Sequence, residues 1–413
     1  MTATALGAAS ELDPSRHSAR FSLWFSCVGH AYSHLFTMLY LTVVLVLERE
    51  WGMGYAELLR LSTLGALLFG AAALPMGWIG DRWSAVGMMV VYFVATGVAA
   101  ILTGLARNPT EMMLGLAAIG LAASIYHPVG IAWLVRNAAS RGKALGVNGL
   151  FGAIGVAGAS AVAGVLTDWI SWRAAFFLPG IVSIVTGLVL ALCWRLGLVA
   201  DRLSDRVPEK PASRQDMWRT FFVLSVTMMC AGLIYQCATT VMPKLLADRL
   251  SGWIEGTSSV GLVVMGMYLC TGLTQLYGGH LADRFPAKTV YILTSAFQAP
   301  ALIVAAVIAG PAIVPVLMLA LALHVMSIPA EGSLLARYTP SKHRSLAFGA
   351  KFVIALGIAP VGIMLAAWVE QTTGTFTLLF LMLAAFALSL ATAALFLPGG
   401  RAASAVPALA PAE

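Results

Sequence analysis

The sequence predicts an all-α membrane protein of twelve transmembrane helices, built as two repeated six-helix halves. Three observations carry this. The 413 residues are 60% hydrophobic, only 10% are charged, and the mean hydropathy is +0.87; a soluble domain carries about 25% charged residues, so lipid must solvate most of this surface. The apolar runs are each near the roughly 20 residues that cross a bilayer. Finally, a loop motif recurs at the same place in both halves.

In order, the apolar runs cover 21–47, 57–80, 85–106, 111–135, 144–167, 173–194, 218–247, 257–281, 288–310, 312–336, 346–369 and 375–397. Glycine and proline inside them are tolerated in membrane helices. The polar first 20 residues end in Arg16, His17 and Arg20, unlike a cleavable signal peptide. A basic, proline-broken stretch holds Arg195, Arg202, Arg206, Lys210, Arg214 and Arg219 and separates six spans from six. The expected organisation is therefore a tail (1–20), an N-terminal bundle (21–195), a linker (196–217), a C-terminal bundle (218–397) and a second tail (398–413). With both termini in the cytoplasm, 18 lysines and arginines face inward and 6 outward, with Lys351 inside a span. That bias places both termini inside.

The net charge of +7 does not indicate nucleic acid, because the basic residues lie between apolar runs. The five cysteines form no CxxC pair and read as small buried hydrophobes. No nucleophile triad, phosphate loop or HExxH string is present, so neither an enzyme nor a resident cofactor or metal is expected.

The repeat is specific. GWIGDRW (Gly77–Trp83) follows the second run, and GHLADRF (Gly279–Phe285) follows the eighth. Trp51, Pro109, Pro128 and Arg136 have counterparts in Trp253, Pro311, Pro329 and Arg337, and RGKALG (Arg141–Gly146) has one in RSLAFG (Arg344–Gly349). Parallel halves of even span number are related by an axis along the membrane normal, with substrate sites near the midplane between them.

The duplicated GxxxDR loop in a twelve-span chain resembles the major facilitator superfamily. The resemblance implies a monomeric secondary transporter of the cytoplasmic (inner) membrane, moving a small organic solute by alternating access, with a proton as the coupling ion. It also implies that Gly77, Asp81, Arg82, Asp283, Arg284, Arg141 and Arg344 serve gating. Asp81 and Asp283 would latch the cytoplasmic side by meeting a helix N-terminus of the opposite half. The first copy lacks the family's basic ending (it reads WSAVG), which weakens that latch. YHPVG (Tyr126–Gly130) followed by RGKALG is similar to a prokaryotic branch that includes fosmidomycin-resistance-like exporters. Glycines 149, 152, 155 and 158 form a small-residue stripe suited to close helix packing.

Ionisable groups inside a membrane are functional candidates. Span 1 carries His30 and His34 on one face, with Tyr32 between them in sequence; span 4 carries Tyr126 and His127 beside Pro128, expected to kink the helix. Span 7 carries Tyr235, Gln236 and Thr239, and span 10 carries His324 and Glu331. The resemblance makes these four spans the cavity walls. Glu331 and Lys351 each lie roughly 10 Å inside the same face, from a rise of ~1.5 Å per residue, and could form an ion pair. No carboxylate lies on span 1 or 4, so proton coupling falls to His30, His34, His127 or Glu331. Two alternatives remain open: a transition-metal importer using His30, His34 and Met38 with sulfur ligands of span 7, or a non-transporting receptor or assembly factor of the same fold.

Overall fold

The computed structural model describes residues 14–138, 141–199, 214–338, 353–354 and 357–398. Twelve helical segments run back and forth through it: α1 (Ser18–Trp51), α2 (Tyr55–Arg82), α3 (Ala85–Gly104), α4 (Pro109–Asn137), α5 (Ala144–Trp169), α6 (Ala174–Arg195), α7 (Gln215–Arg249), α8 (Gly256–Arg284), α9 (Ala287–Val307), α10 (Ile313–Leu335), α11 (Ala359–Thr373) and α12 (Thr377–Ala394). Eleven of them are long and apolar enough to cross a membrane; the described part of α11 has 15 residues. No strand occurs among the described residues.

Local sequence explains where these helices start and stop. Ser84 accepts the Gly87 N–H at 2.9 Å and caps α3. Asn108 accepts the Glu111 N–H at 2.9 Å while Glu111 reaches back to the Arg107 N–H at 2.8 Å, a reciprocal cap ahead of Pro109. Gly52 and Gly374 end α1 and α11 at φ of +63° and +66°, a conformation that favours glycine. At Tyr126–Gly130 the α4 helix widens into a π turn, since Pro128 has no N–H to give to the ladder.

The pseudo-symmetry extends to details that sequence comparison passes over. Arg173 donates to the carbonyls of Gly104 and Ala106 at the end of α3. Arg249 donates to those of Ala306 and Ile308, 202 residues later, at the end of α9. The two arginines come from non-equivalent helices, yet the same carbonyls are satisfied.

Large apolar side chains such as Leu74, Ile170, Phe222, Leu276, Phe297 and Val307 point outward from both halves, as lipid contact allows. Cys27, Cys230 and Cys237 are buried, Cys193 is half-buried and Cys270 is exposed, and all five are free thiols. Only Cys270 departs from the expected burial; a thiol is apolar enough to face lipid.

The apolar interior divides unevenly. One continuous core joins the halves at the face away from the GxxxDR loops, from Phe36, Leu47 and Phe176 to Val241, Tyr268 and Leu383. Toward the loop face there are two separate cores. Met89, Phe93 and Trp133 build one in the N-terminal half, and Leu224, Tyr291 and Leu335 build the other in the C-terminal half. Among the described residues the halves thus share one core at one end and keep separate cores at the other.

Candidate functional site

Glycines set how close the helices come. A Cβ on Gly155 would lie 2.2 Å from the Ala31 carbonyl oxygen, and one on Gly152 would lie 2.6 Å from His30 Cε1. α5 therefore presses directly onto α1 beside its histidines. Gly149 and Gly158 have open space, so the stripe packs through its middle members alone.

Three imidazoles meet where α1 and α4 face each other. The candidate donor nitrogens of His30, His34 and His127 all lie within 4.8 Å of one another. His30 Nε2 and His34 Nε2 are 3.3 Å apart, and the Asn148 carbonyl accepts from His30 Nδ1 at 2.8 Å. Tyr126 stacks on His30 with ring centroids 5.2 Å apart, and Phe69 meets His127 edge-on at 5.8 Å. The Tyr126 hydroxyl donates to the Ser26 carbonyl at 2.8 Å and accepts from Asn148 Nδ2 at 2.8 Å. This locks α1, α4 and α5 around the cluster.

Beside it lies a cavity of about 90 Å³ bounded by His34, Thr37, Met38, Ser62 and Phe69 on one side and Tyr235, Gln236, Ala359 and Ile363 on the other. Both halves line it. Ligand pockets typically measure roughly 300–1,000 Å³, so the walls are drawn in around this one.

In the C-terminal half Tyr235 stacks on His324 with centroids 5.7 Å apart. Thr239 accepts from the Tyr268 hydroxyl at 3.0 Å, and Gln236 donates to Thr240 at 3.3 Å. Glu331 is only 6% exposed and accepts from the Tyr291 hydroxyl at 2.9 Å. Tyr32 does not join the histidines. Its hydroxyl sits 3.3 Å from Thr186 Oγ1 and its ring packs on Phe93, because a residue two positions on lies across the helix. Lys351 and Arg344 lie outside the described residues, as does the Arg141 side chain and with them the expected Glu331–Lys351 pair.

Among the described residues the GxxxDR loops make no ion pair across the halves. Asp81, its side chain 73% exposed, faces Arg136 of its own half at 3.8 Å, and Arg82 lies 4.1 Å over Trp78. Arg284 lies over Phe285, and Asp283 is exposed. Gly77 allows α4 to approach: its Cβ would be 3.1 Å from Pro128.

The cross-half bonds sit at the opposite face. Lys244 of α7 pairs with Glu48 of α1 at 3.1 Å, the Tyr55 hydroxyl donates to the Thr240 carbonyl at 3.3 Å, and Arg60 bonds Gln371. Asp168 of α5 accepts the Ser258 N–H at 2.6 Å, at the free N-terminus of α8. A carboxylate of the N-terminal half thus caps a helix of the C-terminal half. Sequence reading missed these pairs, because their members lie far apart in the chain.

Asp168→Ala should weaken this closure modestly. A lost carboxylate cap costs about 0.5–1 kcal/mol at an exposed end after solvent screening. Maleimide labelling of Thr257→Cys, buried at this joint, should then speed up about 2–5-fold.

A two-bundle membrane helical protein with a largely apolar cavity between its halves, carrying a few polar groups such as His34, Tyr235 and Gln236, has the architecture of a membrane transport protein. The family model described as Major Facilitator Superfamily matches residues 26–257 and again 224–412, so the chain belongs to that superfamily. The puromycin resistance protein pur8 of Streptomyces alboniger is 27% identical over 253 residues, covering 60% of this chain and 46% of that protein. The chain spans about half the length of that relative. A bacterial homologue of the human lysosomal transporter Spinster, inward-facing and unoccupied, superposes with a TM-score of 0.67 at 16% identity, covering 92% of this chain and 95% of that one. A peptide transporter, POT, crystallised with sulfate, superposes with a TM-score of 0.74 at 14% identity, covering 91% and 93%.

Proposed function

We propose that this transporter carries a small, weakly polar organic solute across the cytoplasmic membrane by rocking its two halves about the central cavity, and that it is coupled to protons. The observation that carries the reading is the uneven core: one shared core at one face and two separate cores at the other, with the cavity between. Rigid halves that re-pair at the parted face while unsealing the closed one would expose the cavity alternately.

The GxxxDR face is the cytoplasmic one in this proposal, on the strength of the 18-to-6 distribution of basic residues. The described state is then inward-facing. Asp81 and Asp283 wait, exposed, for the helix ends they would meet after rocking. A solute would enter between His34, Tyr235 and Gln236. The relative named for puromycin resistance supports an organic solute.

Glu331 is the coupling carboxylate of this reading. It is buried on α10 one hydrogen bond from Tyr291, seven positions after His324, which stacks on the cavity-lining Tyr235. An ionisable group inside a membrane span is a natural proton carrier. In this reading Glu331 exchanges its proton as the two halves rock. Flux in proteoliposomes across a panel of organic solutes tests this: an imposed pH gradient should accelerate movement of at least one solute. Flux indifferent to the gradient for every transported solute would refute the coupling.

A further inference from the structure

We propose that His30, His34 and His127 form a three-nitrogen site for a divalent transition-metal ion. The inference goes beyond the transport reading and does not depend on it.

Three features of the cluster point to an ion. His30 Nδ1 lies 2.8 Å from the Asn148 carbonyl oxygen, which can only accept. The proton of the neutral ring is therefore on Nδ1, and Nε2 carries a lone pair facing His34. A backbone carbonyl fixing the far nitrogen in this way is the usual support of a metal-bound imidazole. Next, the 3.3 Å between His30 Nε2 and His34 Nε2 equals the edge of a tetrahedron with metal–nitrogen bonds of about 2.0–2.1 Å, which is about 3.3 Å. An N–H···N hydrogen bond would give that spacing for one pair. The third imidazole distinguishes the two cases: His127, only 6% exposed, is brought from another helix so that all three candidate donors fall within 4.8 Å. Drawing the widest pair together asks for a movement of about 1.5 Å, within reach of small side-chain rotations.

The sequence pattern offered a different ligand set, with Met38 after His30 and His34. In the structure Met38 lines the cavity, and the π turn of α4 supplies His127 as the third donor. Imidazole nitrogens suit zinc, cobalt, nickel and copper ions. Three neutral donors leave a fourth position open and the ion's charge uncompensated. Hydroxide, or an anionic donor atom of a solute in the cavity that His34 borders, would complete the site.

Cobalt(II) is the probe, because tetrahedral coordination gives strong visible absorption and octahedral coordination gives weak absorption. Full-length protein, purified in detergent and freed of any affinity tag, is titrated with cobalt and then with zinc. The expected result is one strongly absorbing cobalt per chain, displaced by one zinc. His34→Gln and His127→Gln should weaken binding roughly 100-fold. Gly152→Ala, which keeps every donor but drives a methyl into His30, should also weaken it, and His280→Gln, at an exposed position, should not. Weak octahedral absorption in the wild-type protein would overturn the proposal without reference to any variant. So would binding that survives both histidine replacements.

Discussion

Gly261→Val should abolish transport while leaving both halves folded. The glycine lies where α8 of one half crosses α5 of the other, and a Cβ there would sit 2.2 Å from the Ser160 carbonyl oxygen. Real Cβ atoms do not approach backbone oxygen so closely, and neither partner can swing aside as a side-chain tip could. Gly164, whose Cβ would be 2.4 Å from the Thr257 carbonyl oxygen, keeps the next contact of the same crossing equally tight. Relief requires the helices to separate, and that separation breaks the seal between halves rather than packing within either. The expected result is at least a roughly tenfold loss of flux, since about 1.4 kcal/mol against one state is already tenfold. Thr257→Cys should meanwhile label freely, and elution as a single folded species should be retained. Unchanged flux would mean that the α5–α8 seal is no part of the cycle.

The second large effect is expected at Glu331. Glu331→Gln keeps the shape of the buried side chain and its bond from Tyr291, yet removes the ability to exchange a proton. A pH difference of one unit supplies about 1.4 kcal/mol per proton, or roughly tenfold accumulation. The variant should lose that accumulation entirely, with solute levels merely equalising across the membrane. Exchange of internal for external solute needs no net proton movement and should persist. Accumulation retained in Glu331→Gln would transfer the coupling role to another residue.

Much of the fold was legible because lipid imposes simple demands. Each apolar run had to become a helix, since a membrane leaves backbone groups no other partner. The duplicated GWIGDRW and GHLADRF loops then fixed the order of the halves. Two of the three histidines were equally plain, as His30 and His34 sit four apart on one helix face. The third member was visible as a residue but not as a neighbour: His127 reaches the pair through the π turn at Pro128 and the close approach of α4 to α1 at Gly29, whose Cβ would lie 2.9 Å from the Tyr126 ring. Tyr32 was grouped with the histidines by sequence adjacency, and helical periodicity carried it to Thr186 instead. The face opposite the loops was not legible at all. Glu48 and Lys244 are 196 positions apart, and Asp168 and Ser258 are 90 apart. Neither pair carries a local motif, and each exists only when the two halves close.

The central claim, that the halves rock as rigid bodies about the cavity, is tested most directly by pulsed electron–electron distance measurements on spin labels in lipid nanodiscs. One labelled pair joins the halves at the loop face (positions 83 and 285, exposed beside the two loop aspartates), and another joins them at the opposite face (positions 57 and 248, exposed beside the cross-half bonds). On adding solute or changing pH, the loop-face distance should shorten in a fraction of molecules while the other lengthens in the same fraction. Distances that stay fixed at both faces, or that lengthen together, would contradict the account.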